Sequence, residues 1–252
     1  MTQTHTINNK YPPGVYHIIA NEGAERFSFY GMRSILASFL VLHFFNPTMD
    51  PALRSVAEAK ANETTHFFVS LAYALPFLGG LMADWFFGKY RVIFYISIVY
   101  CFGHLCLAMF DNRLDIFKCG LLLIAIGAGG IKSCVSANLG DQFTNENRHL
   151  MSKVYGWFYF SINAGSVLST ILIPLVYAYY GPKWAFGIPG ILMAIATLIF
   201  INGRKIYVSL PPSGINKITL YLFHYTRFLT GGKKKKASIY LMLPKKNLHP
   251  KR

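Results

Sequence analysis

The sequence predicts an all-α, polytopic membrane protein with six spans, and three features predict it. Of 252 residues, 53% are hydrophobic and only 14% charged, against roughly 25% charged in soluble domains. Four stretches of 19 to 29 residues lack Asp, Glu, Lys and Arg altogether, and about 20 apolar residues cross a ~30 Å hydrocarbon layer. Two further apolar stretches carry isolated charges. A soluble enzyme, a disulfide-stapled secreted domain and a disordered tail are excluded together.

The first span is one of the interrupted pair. Residues 34–45 give only 12 uncharged positions before Asn46-Pro47, so full thickness requires extending back to about residue 26. That draws Arg26 and Arg33 to membrane depth. The second and third spans read at about 64–86 and 92–110. The fourth must contain a lysine, because only 13 residues separate Lys118 from Lys132. The fifth and sixth read at about 152–179 and 184–203. Residues 1–13 are then a cytoplasmic N-terminus, 14–203 a six-helix transmembrane bundle and 204–252 a basic cytoplasmic tail.

The net charge of +15 divides unevenly. Residues 1–203 hold 13 Lys/Arg against 10 Asp/Glu, whereas residues 204–252 hold 12 Lys/Arg and no acid. The high pI therefore belongs to the tail, and the body offers no basic face for nucleic acid. With both ends on one side, that side collects Lys10, Lys89, Arg91, Arg148, Lys153, Arg204 and Lys205, so the positive-inside rule places both termini in the cytoplasm. The opening MTQTHTINNK lacks a signal-peptide apolar core, and no cleavage is expected. Cys101, Cys106, Cys119 and Cys134 lie singly within spans without metal-ligand spacing and read as small apolar thiols. No catalytic constellation, metal site or organic cofactor motif is found, so no enzyme is expected.

Chemistry concentrates on the first helix. Residues 21–36 read NEGAERFSFYGMRSIL, and Glu22, Glu25, Arg26, Phe29, Tyr30 and Arg33 fall on one helical stripe. Each charge at depth costs at least ~2.5 kcal/mol, so such residues usually face a polar cavity. Lys132 lies in GAGGIKSC, where Ala125, Gly127, Ala128, Gly129 and Gly130 permit close helix approach. A buried lysine calls for an anionic partner, and Glu22 or Glu25 is the expected one. Cations for a carboxylate and acids for an amine suit a zwitterion, which points to proton-linked transport of small charged solutes.

These residues resemble a known family. Glu22-x-x-Glu25-Arg26-Phe27 followed by Tyr30-Gly31 resembles the ExxERFxYYG signature of the proton-coupled oligopeptide transporters, a branch of the major facilitator superfamily. FLGGLMADWFFGKYR resembles the loop between helices 2 and 3 of that superfamily. GAGGIKSCVSANLGDQF resembles the family's GTGGIKPxVxxFGGDQF, and FYFSINAGSVLST its FYxxINxGSLxS. The resemblance covers about residues 12–212. It implies an N-terminal six-helix bundle of the major facilitator fold, the second six-helix bundle being absent from this sequence. It implies proton-coupled symport of di- and tripeptides into the cytoplasm across the cell membrane, with protons as coupling ion and no cofactor. Glu22, Glu25, Arg26 and His66 match proton-coupling positions. Tyr30, Arg33, Tyr73, Lys132 and Asn163 match substrate-binding positions, and Asp84, Arg91 and Asp141 match gating positions.

The sequence departs from the family pattern at Phe29, where a cavity tyrosine is usual, at Ser133, where proline follows the lysine, at Trp85, often arginine, and at Asn138-Leu139. The first is expected to alter substrate preference and the others gating. Two alternatives stand beside peptide symport. One is a membrane fragment that does not transport alone, whose partner is a missing C-terminal half and whose basic tail comes from a changed reading frame. The other is a family member carrying another small solute.

Overall fold

The computed structural model describes residues 9–212. Among these, six helices are long and apolar enough to cross a membrane: α1 Val15–Leu40, α2 Arg54–Met82, α3 Lys89–Met109, α4 Leu114–Gly140, α5 Met151–Tyr180 and α6 Pro182–Asn202. The two charge-bearing spans are α1 and α4. The bounds of α1 and α2 differ from the sequence reading. Helix α1 starts at Val15, immediately after Pro12-Pro13-Gly14, with the Val15 amide bonded to the Pro12 carbonyl. Helix α2 starts ten residues before the uncharged run, at Arg54, with Arg54 and Glu58 paired at 2.9 Å on the exposed face. Counting uncharged residues finds the hydrocarbon part of a helix, and backbone hydrogen bonding carries the helix beyond it.

Local chemistry sets the corners. Helices α1 and α2 each finish in one wider π turn, Val41–Phe45 and Ala83–Phe87. Before α2 the Asp50 carboxylate accepts the Ala52 amide at 2.9 Å, capping a short turn opened by Pro51. Gly181 has φ +82° and is the sole residue between α5 and α6, with Pro182 at the first position of α6. Glycine tolerates that left-handed geometry and proline needs no amide donor at a helix start, so two residues reverse the chain.

Helix α4 packs against α3 and α2, α1 against α5 and α6, and the α3–α6 contact joins the two groups. Helices α1 and α4 are the most buried, α2 and α5 the most open. Phe39 of α1, Phe117 of α4 and Phe186 of α6 are fully buried, with ring centroids 4.9 to 5.4 Å apart. Helices in lipid gain little from the hydrophobic effect against one another and rely on close packing. Two glycine pairs provide it. A methyl on Gly165 of α5 would stand 2.6 Å from the Gly23 carbonyl oxygen of α1, and one on Gly79 of α2 would stand 2.6 Å from the Gly130 Cα of α4. The second crossing bears out the close approach expected beside Lys132.

Candidate transport site

Helix α1 brings its charges to the site already paired. Arg26 follows Glu22 by one helical turn and Glu25 by one residue, so one guanidinium meets both acids. Its Nε donates to Glu22 Oε1 at 2.7 Å, its Nη2 lies 2.7 Å from the same oxygen, and its Nε lies 3.2 Å from Glu25 Oε2. All three side chains are buried. Glu22 Oε2 and Glu25 Oε1 accept no hydrogen bond among the described residues, and the buried Asn21 side chain and Tyr100 hydroxyl are equally unpartnered. The helix is held at this depth by Gly23 against α5 and by Ser28, whose hydroxyl lies 2.6 Å from the Pro189 carbonyl of α6.

Lys132 feels both carboxylates electrostatically but does not touch them. It forms no ion pair with Glu22 or Glu25; its Nζ stands 4.2 Å from the ring centroid of Tyr73 and 4.6 Å from that of Phe29. Arg26, on the same helix as the acids, pairs with both, which leaves the lysine to the electron-rich ring faces. Three helices meet there: α4 brings the lysine, α2 the tyrosine and α1 the phenylalanine. Phe29 is fully buried, packed 5.7 Å from Phe68 and edge-on to Tyr30 and Tyr73. Its missing hydroxyl therefore alters the floor under a lysine more directly than an open cavity wall.

The stripe opens along α1. Glu22, Glu25 and Arg26 are buried, Tyr30 is half-buried and Arg33 exposed. His66 and Tyr73, two turns apart on α2, are both exposed and share a face. Asn163 of α5 is exposed, its amide donating to the Tyr159 carbonyl at 2.9 Å. Among the described residues no hydrogen bond or ion pair ties His66, Arg33 or Asn163 to the acids. The structure thus assembles one compact group, Glu22, Glu25, Arg26, Phe29, Tyr30, Lys132 and Tyr73, and leaves Arg33, His66 and Asn163 on open faces.

At the end of the bundle where α3 begins and α4 ends, Asp141 pairs with Lys89 at 2.6 Å. Arg91, another expected gating position, is exposed and lines a separate cavity, and Asp84 is exposed in the π turn after α2. Lys89 enters the sequence reading only as a loop charge. Gln142, in the same GDQF segment as Asp141, also escaped notice. Its side chain donates to the Asn138 and Val208 carbonyls and accepts the Val208 amide at 2.9 Å, tying α4 to the strand-like stretch after α6. Tyr207 adds a hydroxyl bond to the Phe200 carbonyl at 2.9 Å, and burial raises its phenol above the ordinary range.

The geometry and the relatives agree. A sequence profile described as the POT family matches residues 90–239, so similarity to the family continues past Pro212, where motif resemblance was read as ending. Peptide transporter 3 of Caenorhabditis elegans is 37% identical over 88% of this chain and 33% of its own length. Solute carrier family 15 member 2 of Danio rerio is 41% identical over 81% of this chain and 29% of its own. The solved POT family transporter PepTSo is 46% identical, with a TM-score of 0.76, over 81% of this chain and 40% of that one. A proton dependent oligopeptide (POT) family transporter is 44% identical, with a TM-score of 0.72, over 86% and 47%. The chain spans about a third of the relatives' length and under half of the solved chains. Six packed spans, a buried Glu-Glu-Arg group facing a helix 4 lysine, and these similarities place the chain in the POT family, as a six-helix part of the major facilitator fold.

Proposed function

We propose that this chain forms the proton-coupling bundle of a proton-driven di- and tripeptide symporter of the cell membrane, with both of its ends cytoplasmic. The buried Glu22–Arg26–Glu25 group carries the reading. Its open carboxylate oxygens are positioned to take a proton, and a proton on either acid loosens the hold on Arg26. A peptide's amine suits the acids, and its carboxylate suits Lys132 and Arg33, with Tyr30, Tyr73 and Asn163 around its backbone and His66 as a further proton site. Relatives named peptide transporters and a solved structure named proton dependent support this assignment. The Lys89–Asp141 pair, with Asp84 and Arg91 near the same end, is suited to closing the bundle at that end. Alternating access rocks two repeats around a shared site, so the working partner of this bundle is a second six-helix bundle.

The test joins residues 1–203 in frame to the second bundle of a POT relative and reconstitutes the product in liposomes. An acid-outside gradient should drive accumulation of labelled dipeptide. Glu25→Gln should abolish gradient-driven accumulation while sparing peptide exchange, and the 252-residue chain alone should accumulate none. Gradient-driven uptake unchanged by Glu25→Gln would overturn the assignment of coupling to this group.

A further inference from the structure

Two cavities open along the seam between α3 and α6. The longer, about 700 Å³, is lined mainly by apolar side chains, among them Ile98, Phe102, Leu105, Ile191, Ala194 and Leu198. The second, about 500 Å³, lies where α3 begins and α6 ends and is lined by Arg91, Arg204, Tyr95 and Ser209. Phe94 and Ile201 line both, so the basic cavity continues into the apolar one. No acidic side chain among the described residues lines either. Among the described residues neither arginine makes an ion pair or hydrogen bond there.

We propose that this seam binds an anionic phospholipid, its phosphate held by Arg91 and Arg204 and one acyl chain laid along the apolar groove. Two guanidiniums lining one cavity, with no ion-pair partner among the described residues, match a phosphate's oxygens in charge and fork geometry. Basic pockets between transmembrane helices are a known setting for anionic headgroups. Away from Lys183 at its far end, the groove is lined almost wholly by apolar side chains of two spans, which suits an acyl chain. The groove runs from Ile201 back to Lys183, about 27 Å of helix, so a single acyl chain, about half of the ~30 Å hydrocarbon core, occupies its stretch from Ile201 to Ile191. Free phosphate would satisfy the arginines and leave the groove unfilled; one amphiphile fills both.

The purified, delipidated 252-residue chain, titrated with dioleoyl phosphatidylglycerol or phosphatidylcholine and read by native mass spectrometry, tests this. The chain should prefer phosphatidylglycerol, and the Arg91→Gln/Arg204→Gln pair should weaken that binding by about thirtyfold, from about 1 kcal/mol per basic contact. The Arg91→Lys/Arg204→Lys pair should keep most of the preference. Ala194→Phe should weaken the dioleoyl lipid and spare its dihexanoyl analogue. Neutralising Lys233, Lys234, Lys235 and Lys236 of the tail should leave the preference intact. Should the glutamine pair not fold, the lysine pair and Ala194→Phe still decide. Equal binding of the two lipids, a preference surviving the glutamine pair or lost with the tail lysines, no effect of Ala194→Phe, or displacement of lipid by inorganic phosphate at equal concentration would each overturn the site.

Discussion

Arg26 sits one turn after Glu22 and one residue after Glu25, and its planar fork pairs with both inside the bundle. That arrangement is cheap to build, since all three come from one helix, and costly to break. Removing one member of a buried charged group leaves an uncompensated charge and costs about 3–5 kcal/mol. Arg26→Gln should destabilise the bundle by that order in detergent unfolding measurements. The Glu22→Gln/Arg26→Gln double variant should lose less than the sum of the two single changes. Strict additivity would mean that the pair seen at 2.7 Å contributes nothing of its own. Lys132 shows the other solution to a buried charge, a cation resting on Tyr73 and Phe29.

At the scale of elements, close crossing of helices puts these side chains together. The Gly79–Gly130 contact brings α2 against α4 and thereby Tyr73 beside Lys132. A methyl at Gly79 meets backbone, which cannot rotate away, so Gly79→Ala should cost about 1–3 kcal/mol by overpacking. Gly156 on α5 has nothing within 4 Å of an added methyl, and Gly156→Ala should stabilise by about 0.5–1 kcal/mol through lower chain entropy and better helix propensity. Thermal unfolding of the two variants side by side checks this; equal shifts would mean that the crossing is not limiting. The open faces of α2 and α5, with Phe77, Phe160 and Val167 exposed, contrast with the filled centre around α1 and α4.

At the scale of the whole molecule, six spans put the two ends of the bundle on one side, and the proposal that this side is the cytoplasm, argued from loop charges, is open to direct test. Reporter fusions after Asn46, Gly88, Asp111, Arg148, Gly181 and Lys205 should alternate outside, inside, outside, inside, outside, inside. A cytoplasmic signal after Asp111 would remove a span and break the scheme. The proposed orientation would put the Lys89–Asp141 pair and the Arg91–Arg204 cavity on the cytoplasmic side, so the fusion experiment bears on gate and lipid site together. The tail, residues 213–252, lies outside the described residues.

Membrane depth was legible from the residues because uncharged length is a direct measure of hydrocarbon thickness, and six spans follow from counting. The Glu22–Glu25–Arg26 stripe was legible for a similar reason, since helical period alone puts those residues on one face. The helix starts at Val15 and Arg54 were not, because a helix continues past the membrane wherever its backbone bonds persist. Nor was the partner of Lys132. Composition says that a buried ammonium requires compensation, but Glu22, Glu25, Tyr73 and Phe29 all qualify. The choice fell to geometry, with Arg26 near enough on its own helix to take both acids. In the same way, GKYR holds two basic residues, and it is Lys89 at the start of α3, not Arg91, that the tertiary structure brings to Asp141. Sequence determined which charges enter the membrane; tertiary packing determined which of them meet, because pairing depends on distances between helices that no single helix encodes.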